Sequence, residues 1–244
     1  MDGDRAAARG RLAASAANRG QYADGDAVRE YVADPYHALR RAIAARMLAA
    51  SLRHGPDGPV VELGAGPVPM VDPAACGGRP LVVADAAMAA LRAAALAEGI
   101  CLDVAAGLAL RDSSVAALVM GELIEHVYDP RALLAECHRV LRPGGALVVT
   151  TPNLAAAQDR WRFLRGRSPR QVDALHPYLW LHIRPFTASS LAAALSDVGF
   201  RVLSVRSNFV VWQLGTRWSV RSRLAARLAP GLGGSLIACA QRPG

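Results

Sequence analysis

The sequence predicts an α/β protein built on a doubly wound, mostly parallel sheet. Three observations predict it. Short apolar runs alternate with longer segments of helical period, the pattern of strands joined by crossover helices. The first apolar run, Val60 to Leu63, ends in Gly64, Ala65 and Gly66, the way a buried parallel strand hands over to a loop hugging a ligand. The next run, Leu81 to Ala84, is followed by Asp85, an acid placed to hold ribose hydroxyls. A strand, a glycine turn and a strand-end acid together point to a ligand of nucleoside size.

Taken in order, residues 1–24 are rich in Ala, Arg and Gly without a firm period and read as a flexible N-terminal tail. Residues 25–244 read as one domain. A helix is expected from Ala27 to Leu52, with Leu39, Ile43, Met47 and Leu48 on its buried face and Arg40, Arg41 and Arg46 elsewhere. The run from His54 to Gly58 stops it. Val60 to Leu63 is the first strand, and Pro67, Pro69 and Pro73 keep the following segment irregular. Leu81 to Ala84 is the second, followed by a helix from Ala86 to Glu98. Ile100 to Asp103 is a short third strand ending in another acid, and Val115 to Met120 is the fourth. Asp129 and Pro130 open a helix to Leu141. Arg142 to Gly145 is a turn, and Ala146 to Thr150 is the fifth strand. Thr187 is an N-cap for a helix ended by Gly199 and Phe200. Arg201 to Val205 and Ser235 to Ala240 are the sixth and seventh strands.

Composition narrows the class. The 244 residues are 52% hydrophobic, which excludes global disorder. There is no lysine, so all 28 basic residues are arginine, and the formal net charge is +8. Such a surface attracts anions, whether nucleic acid, lipid or acidic substrate, but the alanine and arginine richness also looks like compositional bias. Cys76, Cys101, Cys137 and Cys239 show no CxxC spacing and read as reduced thiols of a cytoplasmic protein. No apolar run approaches membrane-spanning length, and the start of the chain lacks a signal-peptide pattern.

Further motifs carry a family resemblance. Glu122 to Val127, Asp129 with Pro130, Glu136 to Gly145, Thr151 to Asn153, and His182 to Thr187 together resemble class I S-adenosylmethionine-dependent methyltransferases. The similarity runs from Val60 to Val205 and is nearest to the ubiquinone-biosynthesis-like branch, which methylates oxygen on small molecules or glycans. The resemblance implies a Rossmann-like seven-stranded sheet, mostly parallel with an antiparallel last strand, and S-adenosylmethionine as cofactor. It implies that Glu62, Gly64, Ala65 and Gly66 line the methionine and ribose side of the cofactor. Asp85 would take the ribose hydroxyls, Met88 would lie near the adenine, Asp103 would reach the adenine amino group with Val104 beside it, and Gly121 and Glu122 would form the floor. Val68 stands where the family usually has a third glycine, and Val115 with Ala116 where it has Phe and Asp.

A hydroxyl acceptor needs a base, and histidine is the side chain tuned for that near neutrality. His126 follows the fourth strand; it is either the base or a packed helix-start residue. His176 and His182 lie on the segment that should cover the acceptor, where each is either a base or a loop anchor. His37, His54 and His138 read as surface or helix residues. Glu122, Glu125 and His126 are close enough in sequence to suggest a divalent ion, and the ubiquinone branch is similar here. Hard cations want more oxygen ligands, so no metal is expected.

Two segments read as insertions facing the substrate. Residues 158–185 carry Trp161, Phe163, Tyr178 and Trp180 among arginines; residues 209–232 carry Trp212 and Trp218 with Arg217, Arg221, Arg223 and Arg227. Such a mixture suits a sugar, an anionic group or a membrane surface. The second segment reads first as an amphipathic cap helix, with peripheral membrane or lipid-linked substrate contact as the alternative. The acceptor is expected to be a small molecule or glycoside. A nucleic-acid methyltransferase is the first rival, disfavoured because Gly121, Glu122, Leu123 and Ile124 replace the Asn/Asp-Pro-Pro-Tyr of enzymes that methylate base amines. A non-catalytic cofactor-binding scaffold is the second.

Overall fold

The computed structural model describes residues 29–30, 32–94, 98–173, 181–214 and 218–244. The expected tail at 1–24, together with His176, Tyr178 and Trp180, lies outside the described residues.

The first helix, α1, spans Pro35–Leu52. Asp34 caps it by accepting from the Tyr36 amide, and Pro35 sits where a missing N–H costs nothing. Residues 32–33 are helical as well, so the expected helix is interrupted at Asp34 rather than continuous. Its buried stripe is also rotated from the expected one. His37, Arg40, Ala44, Met47, Leu48 and Leu52 face inward, while Leu39 and Ile43 are only half-buried.

The strands follow as β1 (Val60–Leu63), β2 (Leu81–Asp85), β3 (Gly99–Cys101), β4 (Val115–Gly121), β5 (Leu141–Pro152), β6 (Arg201–Ser207) and β9 (Ser235–Gln241). They form one sheet in the order β3-β2-β1-β4-β5-β9-β6. All neighbours are parallel except the pairings of β9 with β5 and β6. This is the predicted seven-stranded sheet with an antiparallel last strand. Helices α2 (Met88–Ala94), α3 (Pro130–Val140) and α5 (Ala188–Asp197) connect the strands. Asp129 caps α3, and Thr187 caps α5 in a reciprocal box with Ser190.

The first six residues of β4 are all buried, which is why its sequence is continuously apolar rather than alternating. Leu63, Leu118, Met120, Leu147 and Leu236 pack on one side with Leu134 of α3 and Leu191 of α5. Val60, Val119, Val148 and Ile237 pack on the other with Met47 and Leu48 of α1. The strand order reverses between β1 and β4, so a crevice opens at their carboxyl ends, where such sheets bind ligands.

Two expectations need correction. Asp103 does not end a strand; β3 stops at Cys101, and Asp103 caps a 3-10 turn over Val104–Ala106 by accepting from the Ala105 amide. Residues 209–232 are not one amphipathic helix. They form an antiparallel hairpin, β7 (Val210–Leu214) and β8 (Trp218–Ser222), followed by the short helix α6 (Arg223–Leu228). Val210, Val211, Trp212, Trp218 and Val220 are strand formers, and their preference outweighed the spacing of the arginines. The other insertion contains α4 (Ala157–Leu164) and a 3-10 turn at Arg170–Val172.

Candidate active site

The carboxyl ends of β1 and β2 build one half of the crevice. Gly64 and Gly66 have φ of +65° and +60°, the left-handed region that disfavours a side chain. The reasons for the two glycines differ. A Cβ on Gly64 would come within 2.8 Å of Leu123 Cδ1, so this position is closed by packing. A Cβ on Gly66 would meet nothing within 4 Å, so it borders open space. The Gly66 amide donates to Asp85 Oδ2 at 2.9 Å, and the Ala87 amide donates to Asp85 Oδ1 at 2.8 Å. Asp85 is thereby fixed at the loop with lone pairs still available, since each carboxylate oxygen can accept more than one bond. Met88 is 48% exposed at the start of α2, and Asp103 and Val104 are half-buried beyond β3, next to the strand that ends at Asp85.

Glu62 of β1 ties that strand to the loop that follows it. It is 1% exposed, and its two oxygens accept from the Met70 and Val71 amides at 2.5 and 3.1 Å. Both oxygens thereby hold the proline-rich loop. Burial pushes its carboxyl up to about 7, against the pull of those amides. Arg41 pins the same loop from α1, donating to Pro69 O at 2.7 Å and Met70 O at 3.2 Å. Met70 in turn fills the space a Cβ on Gly121 would occupy, with Cε at 2.4 Å. Val68 in place of the family's glycine is thus accommodated by a loop tied down on both sides.

The ends of β4 and β5 build the other half. Glu122 has φ of 54°, a strained conformation for a non-glycine residue that costs about 1–3 kcal/mol. Arg40 Nη1 lies 2.8 Å from Glu122 Oε2, and Thr150 Oγ1 donates to Glu122 Oε1 at 3.1 Å. Arg40 is 3% exposed, so this is a buried ion pair linking α1 to the end of β4. The sequence reading missed Arg40 by leaving it off the buried face. The signal was present: it precedes Ala44 by four residues and Met47 by seven, on the stripe that is buried. His37, expected on the surface or an ordinary helix position, is buried one turn away, and desolvation with the nearby Arg40 charge brings its imidazole down to about 4.

Glu125 and His126 lie on a 3-10 turn after β4, both buried. Thr151 Oγ1 donates to Glu125 Oε2 at 3.0 Å, and Glu125 Oε1 lies 3.9 Å from His126 Nε2. Burial, and then the Glu122 charge, hold the Glu125 carboxyl well above the usual range. His126 Nδ1 is 3.1 Å from the Leu181 carbonyl. A carbonyl only accepts, so Nδ1 carries the proton and Nε2 is the basic nitrogen. Burial lowers this imidazole to about 4, which keeps it neutral near pH 7. His182 meets His126 edge to face, with ring centroids 4.8 Å apart, and its Nδ1 lies 3.0 Å from Gln171 Oε1. The insertion after β5 therefore brings His182 to His126, and His182, half-buried, is the more accessible of the two.

The metal question also changes form. The acids and histidine that cluster are not Glu122, Glu125 and His126 but Glu125, His126 and His182, whose potential ligand atoms lie within 4.8 Å of one another. Two ligands on opposite sides of a zinc ion are at most about 4.2 Å apart, so 4.8 Å is a loose bound. Glu122 is committed to Arg40.

A family model described as a methyltransferase domain matches residues 36–205. A probable S-adenosylmethionine-dependent methyltransferase of Mycolicibacterium smegmatis is 39% identical over 97 residues, covering 40% of this chain and 33% of that protein. The chain thus spans about a third of the length of that relative. A ubiquinone biosynthesis O-methyltransferase of Parvibaculum lavamentivorans is 28% identical over 155 residues, 58% of each chain. Among solved structures, the Burkholderia thailandensis 1,6-didemethyltoxoflavin-N1-methyltransferase, with S-adenosylhomocysteine bound, superposes with a TM-score of 0.61 at 16% identity. That match covers 96% of this chain and 91% of the other, and it bears on the fold alone.

Proposed function

The chain belongs to the S-adenosylmethionine-dependent methyltransferase family, and on that footing we propose that it methylates a hydroxyl of a small molecule or glycoside. The observation that carries the reading is the pair of imidazoles brought together by the turn after β4 and the insertion after β5, each with Nδ1 within hydrogen-bond distance of an oxygen acceptor. A hydroxyl must lose its proton as its oxygen bonds to the methyl carbon, whereas an acidic acceptor needs no such pair.

The crevice fits the cofactor on its own terms. Gly66 leaves open space where a side chain would intrude, and Asp85 beside it presents carboxylate lone pairs to a ribose diol. Met88 offers an exposed apolar contact for the adenine, with Asp103 and Val104 at its far edge, and Ala65 and Gly121 complete the wall. Bound there, the cofactor supplies a methyl group already activated by its sulfonium. What remains for the protein is alignment, worth about 7–11 kcal/mol when complete, and proton removal. His182 Nε2 takes the hydroxyl proton, because its ring is the more accessible one. His126 packs against that ring and keeps it in place, and the Leu181 carbonyl fixes His126 in turn. The reading includes no divalent ion.

The test is a screen of hydroxylated metabolites and glycosides with methyl-labelled S-adenosylmethionine, run with and without chelator. A methoxy product formed equally well in chelator is expected. Label on nitrogen or carbon would overturn the hydroxyl acceptor, and activity lost to chelator and restored by magnesium would overturn the metal-free site.

A further inference from the structure

We infer that the face built by α4, the β7–β8 hairpin and α6 docks on an anionic lipid surface. Five arginines fall in residues 157–173 and four in 209–232, and the second segment contains no acid at all. Of the two acids in the first, Asp159 is buried and bonded to Arg170. Arg167, Arg223 and Arg227 are exposed, and none of them pairs with a carboxylate among the described residues.

Large apolar side chains stand out among these charges. Phe163 and Leu164 at the end of α4 are 70% and 78% exposed. Leu224 and Leu228 are 67% and 78% exposed and lie four residues apart, on one face of α6. Val220 of β8 and Trp161 of α4 are exposed as well, with Arg165 stacked on the Trp161 ring at 4.3 Å. The pieces are joined: β7 packs against both α4 and α6, and Trp161 lies 6.2 Å from Trp212. No described helix is long and apolar enough to cross a membrane, so this surface rests on a bilayer rather than spanning it.

Charge decides among the possible occupants. A second copy meeting this face across a two-fold axis would set the same arginines against each other. Nucleic acid would satisfy the arginines but offers little to Leu164, Leu224 and Leu228, which cannot stack on bases as aromatics do. An anionic bilayer satisfies both sets, with headgroups taking the guanidinium charge and acyl chains taking the leucines. The position has a consequence. β6 runs parallel to β5, so α4 and the hairpin leave the same sheet edge as Glu122 and His126, and a docked molecule turns its acceptor crevice toward the surface.

The test is co-sedimentation of the full chain with phosphatidylglycerol-containing and pure phosphatidylcholine vesicles. It needs no acceptor, so it succeeds or fails apart from the methylation reading. We expect at least tenfold preference for anionic vesicles, weakened by salt. We expect Leu224→Glu with Leu228→Glu, and separately Arg223→Glu with Arg227→Glu, to lose that preference while calorimetric affinity for S-adenosylmethionine stays unchanged. Equal binding to both vesicles, or variants that bind like the wild type, would overturn the inference. So would a wild-type dimer that the leucine variants dissolve, or binding to single-stranded RNA without binding to vesicles.

Discussion

His182 and His126 do different work although they touch. His182→Ala should lower turnover by about 10²–10⁴-fold, the usual contribution of a general base, and leave cofactor affinity intact. His126→Ala should cost less, because it removes a support rather than the proton acceptor. An ascending limb of the pH–rate profile set by His126 would lie near pH 4, where burial places that imidazole. With His182 as the base, the wild-type limb is not that one: it should survive His126→Ala and vanish in His182→Ala. The reverse pattern would reassign the base. Glu62 offers a second test. Its carboxyl is raised from 4.5 to about 7, so the folded state holds that proton more tightly than the unfolded chain. The resulting stabilisation is complete below about pH 4.5 and is lost as pH rises through 7, an effect on the order of 3 kcal/mol. Glu62→Gln should remove this slope, so its destabilisation, measured by urea unfolding, should shrink between pH 5 and pH 8. Parallel curves for the two proteins would show that Glu62 is not the titrating group.

Among the elements, the glycine turn was legible because its chemistry is local: strand, two glycines and a strand-end acid stand in register. Its two glycines nonetheless separate on inspection. Gly66→Val should weaken S-adenosylmethionine binding by more than tenfold, because the side chain enters open crevice. Gly64→Val should also lower the melting temperature, because Leu123 already occupies the space. Normal binding by Gly66→Val, followed by calorimetry, would mean the loop does not approach the cofactor. Helix α1 shows what local pattern hides. Arg40 looks like one of a run of solvated arginines, and the Glu122 carboxylate, 82 positions away in sequence, helps make its burial tolerable. The β7–β8 hairpin was hidden for a related reason: the arginine-rich segment reads as an amphipathic helix, and that reading passes over the strand preference carried by its valines and tryptophans.

For the molecule as a whole, topology was readable because the buried parallel strands are short, mostly apolar runs and two of the connecting helices are capped in sequence, at Asp129 and Thr187. The placement of candidate residues was readable where they stand at a strand end, as Asp85 and Gly66 do. The partners of Glu62 were not, since its oxygens face a loop whose fold depends on Arg41 of α1. The meeting of His126 with His182, 56 residues on, depends on how the insertion after β5 closes. The proposed cofactor seat is the crevice at the carboxyl ends of β1, β2 and β4, with Asp85 as its anchor. Calorimetric titration of S-adenosylmethionine into the wild type and Asp85→Ala tests this most directly. Charge-assisted hydrogen bonds of about 1.5–3 kcal/mol predict an affinity at least tenfold weaker in the variant. Wild-type affinity in Asp85→Ala would contradict the assignment and remove the crevice from the site.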